Sequence, residues 1–159
     1  MQVINRFNLA AAIAVVLLAN VGCSHQLRSE LAVGVIIQSD HAVYHIFCAS
    51  CDQERIPALK QVIIAAEGSL EKEAHRPPRF PTYDIYLQTR RITACGREVV
   101  RGCTKRNSIW VKVDPPMIGS ADPMDQETQN VLIHELWHSW TGDQNELNAN
   151  WFINRVPIL

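Results

Sequence analysis

The sequence has no excess of either charge, no apolar run long enough to span a membrane and no tandem repeat. Its 159 residues include 15 Lys and Arg against 16 Asp and Glu, so the chain carries almost no net charge. Hydrophobic residues make up 47% of the chain, which argues against intrinsic disorder. No nucleic-acid motif is present. We therefore expect one globular domain that is monomeric and has no nucleic-acid partner.

The only extended apolar run lies near the N-terminus, from Leu9 to Ala19, and it is too short for a membrane span of about 20 residues. Arg6 precedes it and Val21-Gly22-Cys23 follow it, so residues 1–22 have the layout of a secretory signal peptide. The end of this segment resembles a bacterial lipoprotein processing site, which implies cleavage before Cys23 and a lipid on that cysteine. Ordinary secretion with an unmodified Cys23 is the alternative. We expect export to a bacterial cell envelope, with a lipid anchor in the outer membrane or a periplasmic location, and one folded domain over residues 23–159.

The remaining cysteines form an even set that suits disulfide formation in an oxidising compartment. Cys95 and Cys103 bracket a basic segment, and Cys48 and Cys51 are close in sequence, so we predict one disulfide in each pair. Cys48-x-x-Cys51 also resembles the redox pair of thioredoxin-like proteins, and a thiol–disulfide protein is therefore the main rival function. A zinc site built from all four cysteines is a weaker alternative.

Hydrophobic periodicity predicts an α+β domain. Alternation predicts four strands, at Leu31 to Gln38, Ala42 to Phe47, Thr82 to Gln88 and Ser108 to Val113. Helical spacing predicts a long helix from about Ile56 to Ala74, an active-site helix from Pro123 to about Thr141 and a short last helix from about Asn145 to Arg155. We expect a mainly antiparallel sheet packed on the long helix, a hairpin or loop between Cys95 and Cys103, and an edge strand around Ser108 to Val113. Asp122 is the predicted N-cap of the active-site helix, and Gly142 is placed to end it.

The predicted active-site helix contains the motif HExxH, with His134, Glu135 and His138 at its defining positions. Residues four apart share one helix face, so both imidazoles can bind one metal ion at Zn–N distances of roughly 2.0–2.1 Å. Glu135 is rotated by about 100° from His134 and lies beside the metal, where it can act as a general base. The structural alternative is an ordinary amphipathic helix with two hydrogen-bonded histidines.

The residues around the motif resemble the longer zincin metallopeptidase pattern. Val131 stands three residues before the first His, Trp140 stands two after the second, and the segment between them is otherwise uncharged. The third ligands of metzincins and aspzincins are absent after His138. The run from Glu146 to Phe152 instead resembles the second helix of the minimal gluzincins and the ImmA/IrrE-type metallopeptidases. The resemblance covers about residues 131–157 and implies a small zincin-like domain that binds Zn²⁺.

The resemblance further implies that His134, His138 and Glu146 are the metal ligands, that Glu135 is catalytic and that the substrate is a peptide or protein. Two alternatives for this region stay open. Asp143 could supply the third ligand, or Glu146 could form a capping box with Asp143 and bind no metal. A zinc-binding envelope lipoprotein without catalysis is a third function for the chain.

Overall fold

The computed structural model describes residues 34–48, 55–89, 92–96, 101–113 and 124–157. Within them the chain forms five strands and three helices, in the order β1 (Gly34–Gln38), β2 (Val43–Cys48), α1 (Arg55–Ala74), β3 (Thr82–Gln88), β4 (Gly102–Lys105), β5 (Ser108–Lys112), α2 (Gln126–Thr141) and α3 (Glu146–Ile153). The predicted signal peptide, Cys23, Cys51, Asp122 and Pro123 lie outside the described residues. No helix in the described ranges is long and apolar enough to cross a membrane.

The strands form one mixed sheet in the order β1-β2-β3-β5-β4. The outer pairs, β1 with β2 and β5 with β4, are antiparallel, and the inner pairs, β2 with β3 and β3 with β5, are parallel. The predicted α+β class is confirmed. The sheet is mixed rather than mainly antiparallel because α1 carries the chain back to the start of the sheet, so that β3 runs in the same direction as β2.

Strand β4 is the last strand of the sheet, next to β5. The prediction that the strand around Ser108 to Val113 forms the edge is therefore wrong, because β4 pairs with β5 on that side. The chain reverses between them at Arg106, which adopts a positive φ of 59°. Strands β4 and β5 thus form a hairpin over residues 102–112. The segment between Cys95 and Cys103, which was predicted as a hairpin or loop, lies partly outside the described residues. Among the described strands, β1 and β4 form the two edges of the sheet.

A single hydrophobic core lies between one face of the sheet and the helices. Alternation places every second strand residue on this inner face, and those at the centre of the sheet are fully buried: Tyr44, Ile46, Tyr83, Ile85, Ile109 and Val111. Helix α1 contributes Leu59, Ile63 and Leu70, and α2 contributes Leu132, Leu136 and Trp140. Burial of each such side chain stabilises the fold by roughly 1.5–3 kcal/mol. This packing fixes the axis of α2 relative to β5 and β4.

A buried polar cluster ties α1 to the turn between β1 and β2. Glu67 is 3% exposed and accepts hydrogen bonds from the hydroxyl of Tyr44 over 2.8 Å and the hydroxyl of Ser39 over 2.6 Å. Burial, followed by the charge and the hydrogen bond of Glu67, raises the pKa of Tyr44 far above its ordinary value. Tyr44 therefore stays protonated and serves as a donor that holds the buried carboxylate.

Candidate metal centre

Helix α2 carries His134, Glu135 and His138 and begins at Gln126, three residues later than predicted. Its N-cap is Asp125 rather than Asp122, because Asp125 accepts hydrogen bonds from the backbone N–H and the hydroxyl of Thr128, over 2.9 and 2.7 Å. Burial alone would raise the pKa of Asp125, but the hydrogen bonds outweigh it and hold the pKa below its usual value. The ionised cap also interacts favourably with the positive end of the helix dipole.

The helix ends as predicted at Gly142, which adopts a left-handed conformation with φ of 71° and donates its N–H to the carbonyl of His138 over 2.9 Å. A Cβ atom at this position would also lie 2.5 Å from Nη1 of Arg79, so a larger residue would require the arginine side chain to move. The chain reverses here, and α3 begins at Glu146 after its N-cap, Asn145. The turn thereby brings the first residue of α3 back toward the histidines.

Three ligand atoms converge between α2 and α3. Nε2 of His134 lies 3.0 Å from Nε2 of His138 and 2.9 Å from Oε2 of Glu146. Nε2 of His138 lies 3.8 Å from Oε1 of the same carboxylate. The imidazoles are half-buried and buried, whereas Glu146 is exposed. His134, His138 and Glu146 thus form a group that could hold a metal ion.

The Nδ1 atom of each imidazole is hydrogen-bonded to an oxygen atom that can act only as an acceptor. Nδ1 of His138 donates to the backbone carbonyl of Asp143 over 2.5 Å, and Nδ1 of His134 donates to the side-chain oxygen of Asn150 over 3.1 Å. Each neutral ring therefore has its proton on Nδ1 and a lone pair on Nε2. The two lone pairs and a carboxylate meet at one point, and a bound cation would relieve their mutual repulsion. This orientation of the rings is the one found behind metal-bound histidines.

The three ligand atoms lie close enough together to share one metal ion. Tetrahedral bonds of about 2.0–2.2 Å place neighbouring ligand atoms roughly 3.3–3.6 Å apart. The observed separations of 2.9, 3.0 and 3.8 Å lie on both sides of that range. Two imidazoles and one carboxylate are residue types that bind zinc in proteins.

The chain matches no protein-family model and no curated protein. The candidate metal centre therefore rests on the geometry of His134, His138 and Glu146.

Asp143 contributes to the site through its backbone only. Its carboxylate accepts hydrogen bonds from the N–H of Asn145 over 2.9 Å and from the side chain of Asn148 over 2.7 Å. The bond from Asn148, followed by that from Asn145, lowers the pKa of Asp143. Asp143 is not a member of the His-His-Glu group, and the alternative of a capping box between Asp143 and Glu146 is not observed, because Asn145 caps α3 through the N–H of Leu147.

Glu135 lies on the same helix with its carboxylate directed toward β4. It is 7% exposed, and its Oε2 accepts a hydrogen bond from the hydroxyl of Thr104 over 2.8 Å. Burial raises the pKa of Glu135 above its ordinary value, although Thr104 and the two histidines act in the opposite direction. Glu135 is therefore a buried carboxyl group with a raised pKa beside the candidate metal donors, an arrangement that is common at functional sites.

The site opens into a cleft of about 590 Å³ between β4 and α2. Its walls contain the three donors and Glu135, and polar residues surround them: Arg101, Thr104, Glu127, Asn130, Gln144 and Asn150. Arg101 forms an ion pair with Glu127 over 2.8 Å across the cleft, with both side chains more than half exposed. Val131 and Ile153 add apolar surface. The cleft can therefore admit an extended polar ligand to the donors.

The disulfide predicted between Cys95 and Cys103 is present and lies in the wall of this cleft. Cys48, the first residue of the other predicted pair, is also disulfide-bonded and is 2% exposed. The predicted Cys48–Cys51 link involves a residue outside the described ranges. Sequence reasoning did not identify Thr104 or Asn150 as residues of the site. Asn150 could have been found from its helical spacing to Glu146, but no sequence signal marks Thr104.

Proposed function

We propose that this protein is a zinc-dependent peptidase. The observation that carries the proposal is the convergence of His134, His138 and Glu146 on one point beside the buried carboxylate of Glu135, at the base of an open cleft. Three protein ligands with an open fourth position are typical of catalytic rather than structural zinc sites. Glu135 adds the proton acceptor that a simple zinc-storage site does not need.

The chain's own residues supply the rest of the proposed reaction. Zinc, when bound, would polarise the scissile carbonyl and make the attacking water more acidic. Glu135 takes the proton from that water as its oxygen attacks the carbonyl carbon. Glu135 then passes the proton to the amine nitrogen as the carbon–nitrogen bond breaks. His134 and His138 stay in place because Asn150 and the backbone of Asp143 hold their Nδ1 atoms.

We place the substrate along β4 rather than along β5. Among the described strands β4 is the last of the sheet, and it lines the cleft, so an extended peptide could add to its outer edge through backbone hydrogen bonds. A peptide in this position passes Thr104 and Glu135 before it reaches the three donors. The exposed ion pair between Arg101 and Glu127 lies on the same path and is suited to contact polar side chains of the substrate.

The two other functions are less well supported by the site. A thiol–disulfide protein needs an accessible sulfur atom, whereas the side chain of Cys48, the last residue of β2, is buried in the core. A zinc-binding protein without catalysis needs the three donors but gains nothing from a desolvated Glu135, which costs stability to bury. Peptide hydrolysis accounts for the buried carboxylate of Glu135 beside the three donors.

The test is metal analysis followed by turnover. We expect protein purified without added zinc to contain about one zinc per chain and to cleave a mixture of fluorogenic peptides. His138→Ala should lose the metal and the activity. His45→Ala is the matched control, because His45 pairs with Asp84 on strands β2 and β3 and is not one of the three donors. If the protein binds zinc but cleaves no peptide, a zinc-binding function without catalysis is favoured instead. If it binds no metal, the proposal is refuted.

We further propose that the protein acts in a bacterial cell envelope, exported by its signal peptide and anchored through lipid on Cys23. The support is the sequence Val21-Gly22-Cys23 after the apolar run. Intact-mass measurement of membrane-extracted protein should show a chain that begins at Cys23 with added acyl mass. An unmodified N-terminus at Cys23 or beyond would refute the anchor and leave secretion to the periplasm.

A further inference from the structure

Two residues of β4, Gly102 and Thr104, contact the side chain of Glu135. Residues two apart in a strand lie on the same face, and here that face is the inner one, opposite Val111 and Ile109 of β5. Helix α2 packs against this end of the sheet, so the strand that borders the cleft also touches the proposed general base. Neither Gly102 nor Thr104 is one of the three candidate metal donors.

The hydroxyl of Thr104 is within hydrogen-bond distance of two atoms of Glu135. Its Oγ1 lies 2.8 Å from carboxylate Oε2 and 3.0 Å from the backbone carbonyl oxygen of the same residue. The hydroxyl has one proton, and the carboxylate oxygen is the nearer of its two acceptors. Hydrogen bonds to an ionised acceptor are roughly twice as strong as neutral ones. Thr104 thereby restrains the last torsion of the Glu135 side chain.

Gly102 leaves the space that Glu135 occupies. A Cβ atom at position 102 would lie 2.5 Å from Cγ1 of Val131, 2.9 Å from Cγ of Glu135 and 2.9 Å from its Oε1. Any side chain at this position must displace the Glu135 side chain or the strand. The carboxylate is therefore enclosed by the Thr104 hydroxyl on one oxygen and by the Gly102 backbone beside the other.

We propose that Thr104 is a positioning residue for the general base, and that Gly102 provides the close approach that this positioning requires. The proposal rests on the proposed peptidase function, in which Glu135 must hold one orientation toward the attacking water. A carboxylate displaced by about 1 Å from a productive geometry loses rate by as much as about 10²-fold. β4 thus combines two tasks, because it borders the substrate cleft and fixes the base.

The experiment compares three variants of the full mature chain, each loaded with zinc. Thr104→Val removes the hydroxyl and keeps the branched shape, so kcat should fall about 10–100-fold with KM within about twofold of wild type. Thr104→Ser restores the hydroxyl and should recover most of kcat. Thr82→Val makes the same chemical change on β3, outside the cleft lining, and should leave both constants unchanged. Zinc content should be equal in all of them.

A crystal structure of zinc-loaded Thr104→Val gives a readout that does not depend on activity. We expect the Glu135 carboxylate to occupy a second rotamer while His134, His138 and Glu146 keep their positions. Gly102→Ala should displace the same carboxylate from the other side and lower kcat with zinc retained. The proposal is overturned if Thr104→Val keeps wild-type kcat, if Thr104→Ser is as impaired as Thr104→Val, or if Thr104→Val loses zinc.

Failure of the peptidase proposal can be distinguished from failure of the positioning role of Thr104. If wild-type protein and Glu135→Gln show the same rate on every peptide, the proposed function is wrong whatever Thr104 does. The rotamer of Glu135 in the Thr104→Val structure still decides whether Thr104 positions the carboxylate. An unchanged rotamer in that structure would refute the positioning role.

Discussion

The backbone carbonyl of Asp143 accepts a hydrogen bond from Nδ1 of His138, while the carboxylate of Asp143 is bonded to Asn145 and Asn148. The two acidic residues that follow α2 therefore have different roles. Asp143 orients a ligand through its main chain, which no side-chain substitution removes. Glu146 meets the donors through its carboxylate and starts α3.

This difference predicts that two alanine substitutions weaken zinc binding to very different extents. Glu146→Ala should raise the Kd for zinc at least about 100-fold, because loss of a residue behind a ligand already costs about 10–100-fold. Asp143→Ala should raise it less than about tenfold, since the carbonyl that holds His138 remains. Competition with a fluorescent chelator measures both. Loss of the metal in Asp143→Ala with retention in Glu146→Ala would require a different ligand set.

Glu135→Gln should keep the fold and the zinc and lose nearly all turnover. The amide oxygen can still accept the hydrogen bond from Thr104, but it cannot take a proton from water, and general-base catalysis is typically worth about 10²–10⁴ in rate. Single-turnover kinetics with metal analysis of the same sample checks both parts. Activity equal to wild type would show that another group removes the proton.

The N-cap of α2 predicts a pH-dependent contribution to stability. Asp125→Ala should lower the free energy of unfolding by about 1 kcal/mol at pH 7, whereas Asp125→Asn should lower it less because asparagine is also a good cap. The pKa of Asp125 is lowered in the folded state, so its ionised form stabilises the protein above the unfolded pKa of about 4. This advantage is lost as the pH falls through the lower folded pKa.

Urea unfolding of wild type, Asp125→Ala and Asp125→Asn between pH 2 and pH 7, with the same m-value for all three, measures this dependence. The difference between wild type and Asp125→Asn should shrink toward acid pH. A difference that grows toward acid pH would mean that the folded pKa of Asp125 is raised instead.

The disulfide between Cys95 and Cys103 predicts a stability effect that is separate from metal binding. Replacement of both cysteines by serine should lower the free energy of unfolding by about 2–3 kcal/mol on the chain-entropy estimate for this short loop. Zinc content should stay at the wild-type level, because the donors lie on α2 and α3. Urea unfolding without reductant and metal analysis test the two statements. Loss of zinc in the double variant would show that β4 supports the ligands directly.

Sequence alone predicted the elements whose hydrophobic period is long and regular. Helix α1 and strand β3 were located within a residue, and the end of α2 at Gly142 was correct because only glycine readily adopts that left-handed turn. The start of α2 was misplaced because Asp122-Pro123 and Asp125 are both good capping signals. The hydroxyl of Thr128 favours Asp125, and this bond is a feature of the folded helix.

Strand β4 escaped prediction because Gly102, Cys103, Thr104 and Lys105 have no apolar alternation, and the strand exists only through its pairing with β5. For the same reason, Thr104 was not predicted to be a residue of the site. Its role depends on a contact with Glu135, 31 residues away in the chain. The metal donors were predictable because they lie on consecutive helices at fixed spacings, whereas the partner of the base comes from tertiary packing.

The short turn after Gly142 places all three donors, from His134 to Glu146, within 13 consecutive residues. The loops that must close for these residues to meet are small, so the entropic penalty for gathering them in an unfolded chain is also small. The denatured protein can therefore chelate zinc as well. Because binding to the unfolded state offsets binding to the folded state, zinc should raise the melting temperature by less than its native affinity alone would give.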